Sequence, residues 1–211
     1  MSAASDRFFI SVIGKSSHAS KPETGIDAVA IGAQVISALQ NIVSRSVSPL
    51  DSAVITIGKV TAGNRYNVIA DRFDMEGTCR NQNPAVRDAM PQRMEQIVKG
   101  IAEGMGAQYE FTYIKGYSPV INAHERFELV RDTAAELIGK ENVIISEHAT
   151  LGGEDFAFYA EKVPSAFYHL GCQKEGEPFW PLHNEHFVPD EDALKIGARI
   201  MVTAALNFLN T

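Results

Sequence analysis

The first half of the chain alternates between strand-like and helix-like patterns of hydrophobic residues. An apolar run over residues 8–13 predicts a strand, and apolar residues at helical spacing predict a helix over about 26–45. β-Branched residues over 53–60 and an alternating stretch over 67–80 predict two further strands. The opening order is therefore strand, helix, strand, strand.

A second helix and a fourth strand complete this predicted unit. Asn83 and Pro84 are typical of a helix cap followed by the first helical residue, and the helical spacing continues to about residue 104. Pro91 lies inside this pattern and predicts a kink, since proline removes a backbone donor. Residues 109–115 predict the last strand. The βαββαβ order predicts a ferredoxin-like fold of the α+β class, with two helices on one face of an antiparallel sheet.

The first predicted helix carries more apolar residues than one buried stripe requires. The stripe predicted to face the sheet consists of Val29, Ala33, Ile36, Leu39 and Val43. Ala28, Ile31 and Val35 are apolar as well, and we expect this second set to stay uncovered by the helix's own sheet. An uncovered apolar set and an unpaired sheet edge together predict self-association, for which a two-fold homodimer is the commonest solution.

The second half of the chain again alternates between helix and strand, and we place the domain boundary at the turn-forming residues that begin with Gly116. The predicted elements are a helix over about 125–138, a strand over 143–145, a short helix after Gly153, a strand over 166–170 and a helix over about 191–209. Such alternation predicts a layered α/β arrangement. Because two strands cannot make a complete sheet, we expect an incomplete α/β segment.

Composition and charge narrow the possible partners. The chain has 211 residues, of which 45% are hydrophobic and 21% charged, as in ordinary globular proteins. Its net charge of -7 opposes binding to nucleic acid or to an anionic membrane, so small molecules are the expected partners. Cys79 and Cys172 form no C-x-x-C pair, which fits a reducing compartment. With no membrane-spanning apolar run and no export signal pattern, the sequence predicts a cytoplasmic protein.

A connection rich in glycine and proline joins the first strand to the first helix and carries a single imidazole, His18. Loops in such positions often hold functional side chains, although a surface histidine on a turning chain is the simpler interpretation. The residues around it resemble the G-K-x-x-H-A-x-x-P-x-x-G-x-D signature of the M20 family of zinc-dependent amidohydrolases and peptidases. The matching residues are Gly14, Lys15, His18, Ala19, Pro22, Gly25 and Asp27.

Further words of the M20 pattern follow in order along the chain. Residues 63–71 resemble the family's G-x-x-x-N-V-I-P-D word, with Ala70 in the place of its proline, and residues 77–80 resemble G-T-x-R. Residues 152–157 and 181–184 are similar to two words of the catalytic domain. The resemblance therefore runs from the start of the chain to its end.

The resemblance implies two domains and a reaction. Residues 5–116 would be the lid, or dimerisation, domain, and residues 117–211 the C-terminal portion of the α/β catalytic domain. Family members, which include aminoacylases, hippurate hydrolases and auxin-conjugate hydrolases, cleave N-acyl amino acids or small peptides with a zinc-bound water as nucleophile. Binding two zinc ions is thus the expected cofactor requirement. The family supplies most of its metal ligands in H-x-D and E-E words before the lid, and this chain has neither word.

The resemblance also implies roles for four residues. His18 would polarise the scissile carbonyl or stabilise the oxyanion, often in the partner subunit's active site. Asn67 and Arg80 would orient the substrate carboxylate, whereas a turn-capping amide and a solvated strand charge are their simpler interpretations. His183, followed by Phe187, would be the last metal ligand. One ligand is fewer than the three that a catalytic zinc site needs, so we expect this chain alone to be inactive.

Three alternatives remain open at this point. A private metal site built from the histidines of the second half has little support, because Pro181 and Pro189 disfavour a helix that would align His183 with His186. Glu154 and Asp155 suit either a catalytic pocket or the start of a helix. A non-catalytic dimerisation or small-ligand-binding module is the alternative to an amidohydrolase.

Overall fold

The computed structural model describes residues 2–210, and their contacts divide the chain into two compact units. The first unit extends to Val120 and also contains Ala149–Phe158. The second unit contains Ile121–His148 and the chain from Tyr159 onwards. No sequence pattern indicated that the short segment Ala149–Phe158 returns to the first unit.

The first unit is built on an antiparallel sheet of four long strands. The strands described in the first unit are β1 Ala4–Ile13, β2 Ser17–His18, β3 Ala53–Ala62, β4 Val68–Ile69, β5 Arg72–Asn81 and β6 Gln108–Tyr117. The long strands lie in the order β3-β5-β1-β6, while β2 and β4 form a separate two-stranded ribbon. The predicted strand over 67–80 is thus divided between β4 and β5.

Two helices cover one face of this sheet, as the sequence predicts. Helix α1, Ala28–Asn41, continues into a π-helical turn at Ile42–Ser46, and helix α2 spans Pro84–Gly104. Helix α1 contacts β1, β3 and β5, and α2 contacts β5, β6 and α1. Helix α2 continues through Pro91 without interruption.

Side chains cap both helices at their first turns. The carboxylate of Asp27 accepts hydrogen bonds from the backbone N–H groups of Val29, at 2.9 Å, and Ala30, at 3.1 Å. The side-chain oxygen of Asn83 accepts from the N–H of Ala85 at 2.9 Å. Each cap satisfies donors that the helix itself leaves free, which typically stabilises a protein by about 1 kcal/mol.

The hydrophobic core lies between the sheet and these helices, but the stripe that α1 buries shares only Leu39 with the predicted one. The buried residues of α1 and its π-helical turn are Ala28, Ile31, Gly32, Val35, Leu39 and Ile42. Val29, from the predicted stripe, is 42% exposed. The cause is a close approach at Gly32, where an added Cβ atom would lie 2.5 Å from the ring of Phe73. This contact fixes the rotation of α1, so the set expected to stay uncovered is the buried one.

A charged pair is buried at one end of this core. Asp6 is fully buried on the helix-facing side of β1. Its carboxylate accepts hydrogen bonds from Arg87 Nη2 at 2.7 Å, Arg87 Nε at 3.0 Å, the Tyr113 hydroxyl at 3.0 Å and the Gly116 N–H at 2.9 Å. Burial, together with the neighbouring Cys79 and the charge of Asp6, raises the pKa of Tyr113. The network therefore satisfies a charge that would be costly to bury alone.

The second unit consists mainly of two packed helices. Helix α3 spans His124–Ile138 and is followed by a 3₁₀ turn at Lys140–Asn142, and the last helix, α5, spans Asp192–Leu209. Helix α4, Ala157–Ala160, is a single turn. A hydrogen bond of 3.2 Å from Asn207 to Thr133 joins α3 and α5.

The two strands predicted for the second half are not formed. Residues 143–145 and 166–170 pair with no strand among residues 2–210. A strand needs a neighbour for its backbone N–H and C=O groups. Here the Asn122 amide instead contacts Phe167, accepting from its N–H and donating to its C=O at 2.8 Å each. The strand predictions for these two segments are therefore wrong.

Within the described part of the chain, no helix combines the length and the apolar character that crossing a bilayer would require.

Candidate active site

The β2–β4 ribbon brings two of the predicted site residues together. His18 is the cross-strand partner of Val68, the residue after Asn67. The backbone N–H of Ala19 donates to the carbonyl oxygen of Asn67 at 3.1 Å. His18 and Asn67 therefore lie side by side on an exposed projection of the first unit.

The hydrogen bonds of His18 define which ring nitrogen can donate. The backbone N–H of Ser20 donates to Nδ1 at 3.2 Å, and the Ser20 hydroxyl lies 2.7 Å from the same nitrogen. Because an N–H can only donate, Nδ1 must be the acceptor, and the neutral ring carries its proton on Nε2. The exposed imidazole thus presents an Nε2–H donor, which suits contact with a carbonyl oxygen or an oxyanion.

Most of the other signature residues build this projection. A Cβ atom on Gly14 would lie 2.2 Å from the carbonyl oxygen of Ile26, and one on Gly25 would lie 2.4 Å from Ser17 Oγ. These close approaches allow the paired hydrogen bonds of 2.9 Å between Lys15 and Ile26. Glycine is required here because any side chain would force the two segments apart.

Arg80 lies at the opposite end of the sheet from His18 and Asn67. Strand β5 starts at Arg72, near the ribbon, and Arg80 follows eight residues later. At about 3.3 Å per residue, these two positions are roughly 26 Å apart along the strand. One copy of the first unit therefore does not bring Arg80 and His18 to the same small molecule.

The segment that returns to the first unit, Ala149–Phe158, approaches Arg80 closely at Gly153. A Cβ atom on Gly153 would lie 3.0 Å from Arg80 Nη1 and 2.8 Å from the Cβ of Ser5. The Gln82 amide donates to the carbonyl oxygen of Ala149 at 3.1 Å, and the Ala3 N–H donates to that of Gly152 at 3.0 Å. The G-G-E-D word is thus held beside Arg80, which sequence reasoning had not related to it.

Glu154 has a structural role in this segment. Its carboxylate accepts from the backbone N–H of Phe156 at 3.3 Å, in the turn that precedes α4. This contact favours the helix-opening interpretation of the acidic pair.

A groove of about 400 Å³ runs along the outer face of the sheet and includes Arg80. Sequence reasoning missed a second cation in it, Arg7, whose guanidinium carbon lies 5.7 Å from the centre of the Phe9 ring. Lys59 is also present, but it forms a 2.7 Å salt bridge with Glu76, whose hydrogen bond raises the pKa of the lysine. The sequence does contain a signal for this position, because β1 alternates between buried and exposed residues and Arg7 occupies an exposed position of that alternation.

His183 lies in the second unit, within a turn closed by a 3.1 Å hydrogen bond from the N–H of Asn184 to the carbonyl oxygen of Pro181. Its side chain is exposed, and its φ of 69° is the only positive value at a non-glycine residue between 2 and 210. Left-handed backbone at such a residue is uncommon and recurs at functional positions.

The residues present do not fit a pair of zinc ions. In the described part of the chain, no three His, Cys, Asp or Glu side chains lie close enough to hold a metal. His183 is thus without the companion ligands that a catalytic zinc requires.

Comparison with known proteins decides the family. Residues 6–207 match the sequence profile described as Peptidase family M20/M25/M40. The chain belongs to this family. N-acetylcysteine deacetylase from Bacillus subtilis is 39% identical over 209 residues, which cover 99% of this chain and 53% of that protein. N-acyl-L-amino acid amidohydrolase from Geobacillus stearothermophilus is 50% identical over 125 residues, covering 59% of this chain and 34% of that protein.

A solved M20 structure has the same mixed fold of helices and strands. The YXEP protein of Bacillus subtilis, described as a dinuclear metal binding peptidase from the M20 family, is 34% identical and superimposes with a TM-score of 0.80. The match covers all of this chain and 52% of the YXEP chain. This M20 chain therefore spans about half the length of the relatives it matches.

Proposed function

We propose that this chain is the lid domain and the C-terminal catalytic portion of an M20 amidohydrolase that cleaves N-acyl amino acids or small peptides. The named activities of its relatives, an N-acetylcysteine deacetylase and an N-acyl-L-amino acid amidohydrolase, support this substrate class. The strand order β3-β5-β1-β6 supports a ferredoxin-like lid, since it is the order of that βαββαβ fold. We assign the lid to residues 5–116 and the catalytic portion to 117–211.

The separation of His18 from Arg80 is the observation that carries the mechanism. His18 lies in the ribbon that precedes Arg72, at one end of β5, whereas Arg80 lies roughly 26 Å from Arg72, near the other end. An extended N-acyl amino acid or dipeptide spans only about 7 Å, and the two side chains cannot cover the rest. We therefore infer that His18 and Asn67 act in the active site of a partner subunit, whereas Arg80 acts in its own.

Each residue has a defined part in this arrangement. The Nε2–H of His18 donates a hydrogen bond to the scissile carbonyl oxygen and strengthens it as negative charge develops there. The guanidinium of Arg80 binds the substrate carboxylate, for which its planar donors are suited. Asn67, which lies beside His18, orients the same carboxylate from the partner subunit. Both subunits are needed for one complete site, so the active form is a homodimer.

Metal binding requires residues beyond those described. We propose that His183 contributes one ligand to a two-zinc site and that the half of the M20 fold outside this chain supplies the others. The dinuclear metal site named for YXEP supports this proposal. The 211-residue chain alone is then inactive.

The exposed surface of α5 also supports a catalytic domain that is divided between this chain and a further half. Leu194, Met201 and Leu209 are between 65% and 76% exposed on this one helix. Large apolar side chains clustered in this way mark a surface that another polypeptide segment covers. We propose that the remaining catalytic half of the M20 fold packs there.

Mixing two inactive variants tests the function and the shared site together. The experiment uses the complete enzyme, defined here as this chain joined to the half of YXEP that it does not match. His18→Ala and Arg80→Ala dimers should each lose hydrolysis of N-acetyl-L-amino acids. Because random mixing places both wild-type residues in one site of each hybrid dimer, the mixture should recover about a quarter of wild-type activity.

The control mixes His18→Ala with Asn67→Ala. Because both residues lie on the same projection, no site in the hybrid dimer has both of them, and the mixture should be no more active than the single variants. The proposal is contradicted if both mixtures recover the same activity. It is also contradicted if the complete enzyme hydrolyses no N-acyl amino acid when zinc is present.

A second candidate, a non-catalytic dimerisation or small-ligand-binding module, is favoured by one observation. The first unit has its own core of sheet and two helices and needs no other segment to bury it. Hydrolysis of N-acetyl amino acids by the complete enzyme separates the candidates. The amidohydrolase would be active once the other half is present, whereas the module would bind ligand yet stay inactive.

A further inference from the structure

The outer face of the sheet carries two arginines in one groove. Ser5 is the cross-strand partner of Arg80, and Arg7 lies two residues further along β1 on the same face. Diagonal neighbours of this kind are about 7–8 Å apart at their Cα atoms. Both side chains are long enough to reach two ends of one small ligand.

These two arginines are uncompensated positive charges. Among residues 2–210, neither Arg7 nor Arg80 forms a salt bridge, while the other charged pair of the groove, Lys59 and Glu76, is neutralised internally at 2.7 Å. The groove thus carries a charge of about +2 in a protein whose net charge is -7. A concave surface of this sign attracts anions that the rest of the molecule repels.

Each of the two guanidinium groups also packs against a neighbouring residue. Arg7 lies over the ring of Phe9, and Arg80 lies against the backbone of Gly153. Such contacts restrict the side chains and lower the entropy lost when a ligand binds.

We propose that this groove selects substrates with two carboxylates. Arg80 binds the α-carboxylate, and Arg7 binds a second carboxylate on the side chain of the same residue. The inference rests on the proposed amidohydrolase function and narrows its substrates to N-acyl derivatives of acidic amino acids, or peptides that end in an acidic residue. Arg7 is then a specificity-determining residue, since it contacts the part of the substrate that distinguishes an acidic residue from a neutral one.

A binding experiment on the 211-residue chain tests the groove without any catalysis. Glutarate and butyrate are the probes, because they have similar carbon chains but two carboxylates and one. Titration followed by ¹H–¹⁵N NMR should give about fivefold tighter binding of glutarate, the value of one partly exposed ion pair. The shifted resonances should include those of β1 and β5.

Three substitutions of one kind identify the source of this preference. Arg7→Gln and Arg80→Gln should each reduce glutarate affinity to that of butyrate. Arg45→Gln, an exposed arginine in the π-helical turn after α1, should leave the preference unchanged. The dispersion of the spectra verifies that each variant is folded. Equal affinity for the two probes in the wild type, or a preference that survives Arg7→Gln, overturns the inference.

Kinetic measurements on the complete enzyme can test the role of Arg7 and the proposed amidohydrolase function independently. The function itself is tested by hydrolysis of N-acetyl-L-alanine, and the selectivity by the ratio of kcat/KM for N-acetyl-L-glutamate over N-acetyl-L-alanine. Arg7→Gln should lower that ratio about fivefold. Hydrolysis of both substrates with an unchanged ratio would refute only the role of Arg7. Loss of all hydrolysis in the wild type would refute the function, while glutarate preference would still show the groove.

Discussion

The guanidinium group of Arg80 lies against the backbone of Gly153, with 3.0 Å between Nη1 and the position that a Cβ atom on the glycine would occupy. These residues are 73 positions apart in the sequence, as their numbers show. Strand β5 and the G-G-E-D segment therefore form one surface within the first unit. A residue at position 153 has to leave room for the arginine, so the glycine supports the proposed role of Arg80 in substrate binding.

Gly153→Ala should consequently weaken substrate binding in the complete enzyme. The added methyl group would meet Ser5 and Arg80 and displace the guanidinium from the substrate carboxylate. We expect KM to rise about tenfold with a smaller effect on kcat. Gly152→Ala is the matched control, since its methyl group would meet only Thr150 Oγ1 at an ordinary 3.7 Å. Equal KM values for the two variants would argue against the contact.

His18 should act through the proton on Nε2. Replacing it with alanine removes the donor, and we expect kcat of the complete enzyme to fall about 100-fold or more, as when one oxyanion donor is lost. Glutamine retains an N–H group near the Nε2 position, so His18→Gln should keep part of that activity. A His18→Gln variant as inactive as His18→Ala would indicate that the imidazole has another role.

Breaking the buried pair of Asp6 and Arg87 should strongly destabilise the first unit. Asp6→Asn leaves the arginine charge without its bidentate partner in a buried position, and we expect a loss of about 3 kcal/mol in the free energy of unfolding. Urea denaturation of the 211-residue chain measures this. The double variant with Arg87→Met should recover part of the loss, because it removes the unpaired charge. Additive losses in the double variant would show that the two residues do not interact.

The two cysteines should differ sharply in reactivity. Cys79 is fully buried, and burial raises the pKa of its thiol to about 12. Since only the thiolate reacts, about one molecule in ten thousand is reactive at pH 8, even before access is considered. Cys172 is partly exposed. One equivalent of thiol should therefore react with a disulfide reagent in the folded chain and a second only in denaturant, and Cys79→Ala should abolish the second phase alone.

Much of the first unit was predictable from the sequence because its local signals agree with its packing. The caps at Asp27 and Asn83, the alternation of β5 and the helical spacing of α2 each concern neighbours within a few residues. The rotation of α1 was not predictable in this way. Two apolar stripes compete on that helix, and the choice depends on Phe73 meeting Gly32, a contact between residues 41 positions apart.

The second unit was harder for a related reason. Residues 143–145 and 166–170 have strand-like composition, but a strand exists only through its pairing, and within residues 2–210 no neighbouring strand pairs with them. The same limit applied to the site. The resemblance predicts roles for His18, Asn67, Arg80 and His183, and these stay predictions. The outward position of Arg7 became meaningful only when the register placed it near Arg80.

The outer face of the sheet also gives a prediction about acid stability, through Asp74. Partial burial acts to raise the pKa of this carboxyl, but hydrogen bonds from Ser11, at 2.5 Å, and Arg72, at 2.9 Å, outweigh it and lower the pKa below the ordinary 3.8. The ionised form is thus favoured in the folded state. Its stabilisation is complete above the unfolded-state pKa and is lost as the pH falls through the folded-state pKa.

Asp74→Asn should therefore destabilise the 211-residue chain at pH 7. The difference in the free energy of unfolding between variant and wild type should narrow as the pH is lowered to about 3, because the wild-type carboxyl then becomes protonated and loses its charge. The loss should stay below about 1 kcal/mol, because solvent screens this half-exposed pair. Urea denaturation at both pH values measures it. The control is Glu103→Gln, which replaces an exposed carboxylate. Within residues 2–210 that carboxylate forms no salt bridge, so the substitution should leave the free energy of unfolding almost unchanged at either pH. A destabilisation by Asp74→Asn that grows toward low pH would show that the aspartate is instead bound in its neutral form.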